Sequence, residues 1–295
     1  MLSGVNYPII TAMRLDGRRT SGNVDDRRRA GKTTAGLGIG GIIVVGIITL
    51  LMGGNPLDVL TSQLANVPQA GSGHVPSAEE DAMALFASRI LAGTEDVWTK
   101  EFKNMGRQYT PPKMVLFTRY TASACGNATS QTGPFYCSAD QTVYIDLSFF
   151  DEMRDQLNAG GDFAYAYVIA HEVGHHVQYL LGILDEVHQM QRRMSKAEAN
   201  QLSVRLELQA DFFAGIWAYH DDEMYNSLDE SDIDEGLNAA SAIGDDRLQM
   251  EAQGYTVPDS FNHGTSAQRS RWLKKGAATG RVAEGDTFSP AYSSL

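Results

Sequence analysis

Two histidines and a glutamate near the middle of the chain have the spacing of a metal site. They are His171, Glu172 and His175, in the run VIAHEVGHHVQYLL that covers residues 168–181. In a helix, residues four positions apart lie one turn apart on the same face, so both imidazoles can reach one metal ion. Glu172 lies beside them, where its carboxylate can face a metal-bound water. The pattern predicts a zinc hydrolase site with two ligands and a general base.

The same run is apolar enough to form a helix of the protein core. The alternative interpretation is therefore a buried helix with incidental polar residues. The adjacent His176 lies about 100° around the helix from His175. We expect it to point elsewhere and not to bind the metal.

A second helix is expected to complete the site. Ser195 and Glu198 form a capping-box pattern at its start, and its middle reads RLELQADFFAGIWAYH over residues 205–220. An open tetrahedral zinc site needs a third protein ligand, which Glu207 can supply. Asp211, one turn further on, would accept the other N–H of a ligand histidine and fix its tautomer. The alternative is a solvent-facing acidic pair, which the apolar neighbours disfavour.

A later histidine, His263, lies in a loop before the last helix. A histidine beside a zinc site can donate a hydrogen bond to the oxyanion of a tetrahedral intermediate, which would make it catalytic. A structural or helix-capping role is an equal alternative.

The charge of the chain is unevenly distributed. The net charge of the 295 residues is -12, and the bulk of the chain has no basic stripe, which argues against a nucleic-acid partner. The first 32 residues, in contrast, are rich in arginine. Such a basic flank is typical of the cytoplasmic side of a membrane segment.

An uncharged run, AGLGIGGIIVVGIITLLMGG, covers residues 35–54. Its length matches the ~20 residues that a helix needs to cross a bilayer. With the arginines before it, the positive-inside rule places the N-terminus in the cytoplasm. We predict a single-pass protein of the bacterial inner membrane, with its catalytic domain outside the cytoplasm. A cleaved signal peptide is the alternative.

The two cysteines, Cys125 and Cys137, close the run CGNATSQTGPFYC. Their spacing does not suggest metal binding. In an exported domain we expect them to form a disulfide, whereas in the cytosol both would be reduced.

The sequence predicts a mainly helical α+β fold with a small sheet. Strand patterns occur near residues 114–118 and 141–147, and the chain after residue 148 is nearly all helical. The predicted divisions are an unstructured cytoplasmic segment (1–34), a membrane span (35–54), a linker (55–76), the zinc domain (77–280) and a polar tail (281–295).

Several motifs resemble, in order, those of a family of bacterial membrane-anchored neutral zinc metallopeptidases that are similar to gluzincins. The matching stretches, which usually begin at the position of Met13, are MRLDGRRTSGNVDDRR, ACG, GPFYC, VYIDLSFF, AHEVGHHVQ, RLELQADFFAGIWA, AIGDDRLQ and HGTSAQRSRW. The resemblance implies a zincin-like domain in which His171, His175 and Glu207 bind zinc and Glu172 is the base.

Glu207 with Asp211 also resembles the ExxxD element of thermolysin-like and CAAX-protease-like gluzincins. His263 and Arg269 are similar to a histidine and an arginine that follow in the latter group, although Gly264 stands where a proline is usual.

We therefore predict a membrane-anchored zinc peptidase acting on a peptide or protein substrate. A zinc-bound water would attack the peptide carbonyl with Glu172 as general base, and the peptide would lie along a sheet edge near residues 141–147. Two alternatives remain: an envelope interaction protein stabilised by zinc, and a zinc hydrolase of another amide bond. The sequence leaves the oligomeric state open.

Overall fold

The computed structural model describes residues 13–29, 75–129 and 132–295. The strands are β1 (Val24–Asp26), β2 (Lys113–Phe117), β3 (Tyr120–Ser123), β4 (Gly126–Thr129), β5 (Phe135–Cys137) and β6 (Thr142–Asp146). The helices are α1 (Ala78–Asn104), α2 (Ser148–Asp155), α3 (Asp162–Leu181), α4 (Ile183–Gln191), α5 (Lys196–Tyr225), α6 (Glu230–Ala242), α7 (Asp245–Gln253) and α8 (Ser266–Thr279). The predicted mainly helical α+β fold with a small sheet is confirmed.

Four strands form the main sheet, in the order β1-β2-β6-β5. The first three run parallel, and β5 is antiparallel to β6. Alternate residues of β2 face two separate clusters, because strand side chains point to opposite faces. Met114 and Leu116 join the main core, whereas Val115 and Phe117 join a smaller cluster with Tyr144. Every residue of β6 is buried, as expected for a strand paired on both sides.

Helix α3 lies at the centre of the helical layer and packs closely on α5. Gly174 makes this approach possible, because a Cβ at that position would lie 2.9 Å from the carbonyl oxygen of Ala210. Ser195 and Glu198 form the predicted capping box at the start of α5. The contact between α3 and α5 brings the histidines of one helix opposite the carboxylates of the other.

The predicted disulfide is confirmed. Cys125 and Cys137 are bonded, with 5.8 Å between their Cα atoms. The bond joins the end of β5 to the turn that precedes β4, and so ties an edge of the main sheet to the β3–β4 hairpin.

The folded unit extends beyond the predicted limits of 77–280 at both ends. Residues 13–29, which we expected to be an unstructured cytoplasmic segment, supply β1 and bury Met13 and Leu15 in the main core. The predicted polar tail also packs, since Leu295 is 3% exposed and the hydroxyl of Thr287 donates to the carbonyl of Arg205. Neither end was recognised because its partners lie far away in the sequence.

The predicted membrane span, residues 35–54, lies outside the described residues, as does most of the predicted linker. In the ranges that the structure covers, no helix combines the length and apolar character needed to cross a membrane.

Gly276→Ala tests the contact between α5 and α8. A Cβ at position 276 would lie 2.1 Å from the carbonyl oxygen of Phe212 and 3.0 Å from the Cα of Gly215. Because backbone atoms cannot move aside cheaply, we expect the free energy of unfolding to fall by about 1–3 kcal/mol despite the better helix propensity of alanine. Chemical denaturation at fixed zinc concentration measures the change.

Gly22→Ala is the matched control, because a Cβ at position 22 has nothing within 4 Å. It should change the free energy of unfolding by less than about 0.5 kcal/mol. Equal stabilities for Gly276→Ala and the parent protein would contradict the close helix contact.

Candidate metal centre

Helix α3 places His171 and His175 one turn apart, with their ring centroids separated by 4.8 Å. Glu207 reaches both of them from α5. One carboxylate oxygen lies 3.1 Å from Nε2 of His171 and the other lies 3.4 Å from Nε2 of His175. One ligand atom from each of the three residues lies within 4.8 Å of the others. The structure thus brings together the three residues predicted as metal ligands, and their role as ligands stays a prediction.

The second ring nitrogen of each histidine is held by an oxygen acceptor. Nδ1 of His171 lies 2.8 Å from Asp211 Oδ1, and Nδ1 of His175 lies 2.9 Å from Gln178 Oε1. The amide of Gln178 is itself oriented, because its NH₂ group donates to the carbonyl of Leu206. Both Nδ1 atoms therefore carry the hydrogen in a neutral imidazole, which leaves both Nε2 lone pairs directed at Glu207.

This convergence fits a cation. Two nitrogen lone pairs and a carboxylate repel one another at these distances unless a positive charge lies between them. The pKa of His171 also shows that the surroundings favour a positive charge. Burial alone would lower this pKa, but Asp211 and Glu207 raise it to about 10. A metal ion can replace that proton as the positive charge, and two imidazoles with one carboxylate form a common ligand set for zinc.

Asp211 lies beneath His171 at the centre of a buried network. It is fully buried and accepts hydrogen bonds from Tyr167 at 2.6 Å and from two guanidinium nitrogens of Arg269, each at 2.9 Å. Burial would raise the pKa of Asp211, but Arg269 and His171 outweigh burial and lower the pKa to about 2. Asp211 therefore stays ionised and accepts the N–H of His171, which restrains the orientation of the imidazole.

Glu172 is also buried, with 8% of its surface exposed. Burial raises the pKa of its carboxyl group, while the charges of His171 and His175 act in the opposite direction. A carboxylate with a raised pKa beside a metal site is suited to accept a proton and to release it again.

His263 is oriented by Asp245, a buried carboxylate at the start of α7. Asp245 is 3% exposed, and one of its carboxylate oxygens lies 3.0 Å from Nδ1 of His263. The other oxygen accepts the backbone N–H groups of Asn262, His263 and Gly264. Burial lowers the pKa of His263, but the hydrogen bond to Asp245 and the charge of Glu207 outweigh burial, so the pKa is raised. The ring thus lies within electrostatic reach of the third predicted ligand.

His176 does not join the cluster, as predicted from its angle on the helix. Its ring is fully buried, with Nδ1 2.8 Å from the hydroxyl of Tyr136 and Nε2 2.7 Å from the carbonyl of Thr110. Burial lowers its pKa to about 4. His176 therefore ties α3 to β5 and to the loop before β2.

Three supporting residues were missed from the sequence: Tyr167, Gln178 and Asp245. A local signal existed for the first two, because Tyr167 precedes His171 by four positions and Gln178 follows His175 by three, which places each on the face of its ligand. Asp245 gave no such signal, since its partner His263 lies on another segment.

The fold and the cluster define a candidate zinc hydrolase, and the comparisons agree with that class. The family model described as "Putative neutral zinc metallopeptidase" matches residues 13–288, and the chain belongs to this family.

Two bacterial proteins are similar in sequence to most of this chain. It is 51% identical over 286 residues to "Uncharacterized protein YpfJ" of Escherichia coli strain K12, covering 94% of this chain and 99% of that protein. It is 40% identical over 224 residues to "Uncharacterized protein Rv2575" of Mycobacterium tuberculosis, covering 72% of this chain and 73% of that protein. No solved structure gives a significant match to the chain.

Asp211→Asn tests the support of His171. The amide cannot accept from Tyr167, Arg269 and His171 as the carboxylate does, so the imidazole loses its fixed orientation and Arg269 loses its charge partner. Zinc affinity should fall about 10–100-fold. Competition with a chromophoric chelator measures the dissociation constant.

Glu223→Gln is the matched control on the same helix, because it also removes one negative charge but its side chain is 55% exposed. Its zinc affinity should equal that of the parent protein. If Asp211→Asn bound zinc as tightly as the parent, Asp211 would have no part in orienting a ligand.

Proposed function

We propose that the protein is a zinc-dependent peptidase in which His171, His175 and Glu207 hold the metal and Glu172 is the general base. The observation that carries the proposal is the convergence of two imidazole Nε2 atoms on one carboxylate, with both Nδ1 atoms already engaged. Membership of a zinc metallopeptidase family supports the class of reaction.

When bound in this cluster, zinc would lower the pKa of a coordinated water towards about 7 and polarise the carbonyl of the bond to be cut. Glu172 takes the proton of the attacking water and then delivers it to the leaving amine. Its raised pKa suits the first step in particular, because a carboxylate of low pKa would be a weak base towards the attacking water.

His263 would contribute a hydrogen bond to the oxygen of the attacked carbonyl. Asp245 holds Nδ1, so Nε2 is the ring nitrogen that can contact a substrate. The raised pKa of the ring favours the protonated form, which donates more strongly to a developing negative charge. The catalytic role of His263 stays a proposal and rests on the hydrogen bond with Asp245 that orients its ring.

The expected position of a substrate peptide, along a sheet edge near residues 141–147, can be stated more closely. The strand in that region, β6, is paired with β2 along its length and with β5 at Thr142–Tyr144, so the edge strand on this side of the sheet is β5. The edge nearest the metal helix is β5, whose Tyr136 bonds to His176 on α3. We propose that an extended peptide pairs along β5, because an edge strand offers unpaired backbone groups to a peptide.

Attachment of the enzyme to a membrane through residues 35–54 is likewise a proposal and rests on the apolar sequence alone. The disulfide supports an oxidising compartment for the domain.

Glu172→Gln tests the proposed chemistry. The amide keeps the size of the side chain but cannot take a proton from water, so zinc content should be unchanged while hydrolysis falls by at least about 100-fold. The measurement is release of fluorescent peptides from a labelled unfolded protein, with zinc content determined on the same sample. Glu186→Gln, an exposed glutamate on α4, is the control and should retain full activity.

Each rival function has its own result in this assay. Zinc-dependent cleavage of cell-wall fragments but not of the unfolded protein would point to another amide bond as substrate. A parent protein that binds zinc, loses stability on chelation and cleaves neither substrate would support a structural metal. Full activity in Glu172→Gln would remove Glu172 as the base.

A further inference from the structure

The sequence and the structure give different positions to the arginine-rich segment before the apolar run. A single membrane crossing at residues 35–54 would place residues 13–29 on the opposite side from the zinc domain. In the structure those residues are part of the domain. The backbone N–H of Met114 donates to the carbonyl of Asn23, and the N–H of Arg27 donates to the carbonyl of Leu116. These bonds pair β1 with β2 in the main sheet.

Arg18 of the N-terminal segment forms a buried ion pair with Asp221 on α5. Its guanidinium donates two hydrogen bonds to Asp221, at 2.5 and 2.7 Å, and the two side chains are 8% and 0% exposed. The nearby Gly93 leaves the space for this pair, since a Cβ there would lie 2.6 Å from both partners. Gly93 lies within the continuous helix α1, and this contact accounts for a glycine at that position.

A second buried carboxylate depends on the same segment. Glu95 on α1 is 6% exposed and accepts hydrogen bonds from Ser21 at 2.5 Å, from Asn23 at 2.8 Å and from Arg19 at 2.8 Å. Without residues 13–29, Glu95 and Asp221 would lose their cationic partners, and β2 would expose its edge. Uncompensated buried charge is strongly destabilising.

We propose that residues 13–29 and residues 75–295 lie on the same side of any membrane that the chain contacts. The two described parts of the chain would then not be separated by a single membrane crossing. The arginines of the N-terminal segment serve the fold of the zinc domain, which accounts for a cluster of basic residues that would otherwise indicate a cytoplasmic flank.

Thiol labelling of the full chain in bacterial spheroplasts tests this proposal. Both native cysteines are in the disulfide, so one introduced cysteine supplies one free thiol. Asp16→Cys reports on the N-terminal segment and Lys103→Cys on the domain, and both positions are exposed. A membrane-impermeant maleimide is added before or after lysis, and the parent chain gives the background.

The proposal predicts the same pattern for both variants, either labelling in intact spheroplasts or labelling only after lysis. Labelling of one variant before lysis and of the other only after lysis would overturn it. The result does not depend on enzymatic activity, so it is independent of the proposed function.

A second measurement tests the ion pair between Arg18 and Asp221. Arg18→Met should lower the aggregation temperature of the protein when intact cells are heated before lysis, and Asp221→Asn in the same chain should restore part of the loss. Arg29→Met removes an arginine of the same segment whose side chain is 65% exposed, and it should leave the temperature nearly unchanged. Equal temperatures for Arg18→Met and the parent would show that the segment does not pack on the domain in the cell.

Discussion

The structure around the candidate site depends on one electrostatic constraint. Two imidazole lone pairs and a carboxylate face one another in a largely buried space, and such a group is stable only with positive charge at its centre. Three carboxylates of the cluster, Glu172, Glu207 and Asp211, are accompanied by one permanent cation, Arg269. The excess of negative charge is also the reason why the pKa of His171 is high. A divalent ion would remove this excess, which is the physical reason for proposing a metal centre at this cluster.

The rest of the domain fixes the geometry of this group. Gly174 lets α3 and α5 approach, so that the proposed ligands on two helices meet at one point. Asp211 and Gln178 then fix the two imidazoles, and Arg269 on α8 fixes Asp211. Each support comes from a buried side chain, which restricts the freedom of the ligands before any metal binds. Such preorganisation is what a site with an open coordination position requires.

The sequence predicted the parts of the site that are local along a helix. The spacing of His171 and His175, and that of Glu207 and Asp211, reports directly which residues share a face. Contacts between distant segments left no such pattern. Asp245 could not be linked to His263, and the pairing of Arg18 with Asp221 joins residues about two hundred positions apart. Composition alone could not separate two interpretations, because arginines that pack on the fold have the same sequence signature as a basic flank beside a membrane span.

X-ray absorption spectroscopy at the zinc edge, on the purified and zinc-loaded chain, reports on the proposed metal centre itself. We expect one tightly bound zinc per chain, with two imidazole nitrogens at about 2.0–2.1 Å, a carboxylate oxygen at about 2.0–2.2 Å and a light-atom fourth ligand. Imidazole scattering from fewer than two histidines, or the absence of stoichiometric zinc binding, would contradict the proposed metal centre.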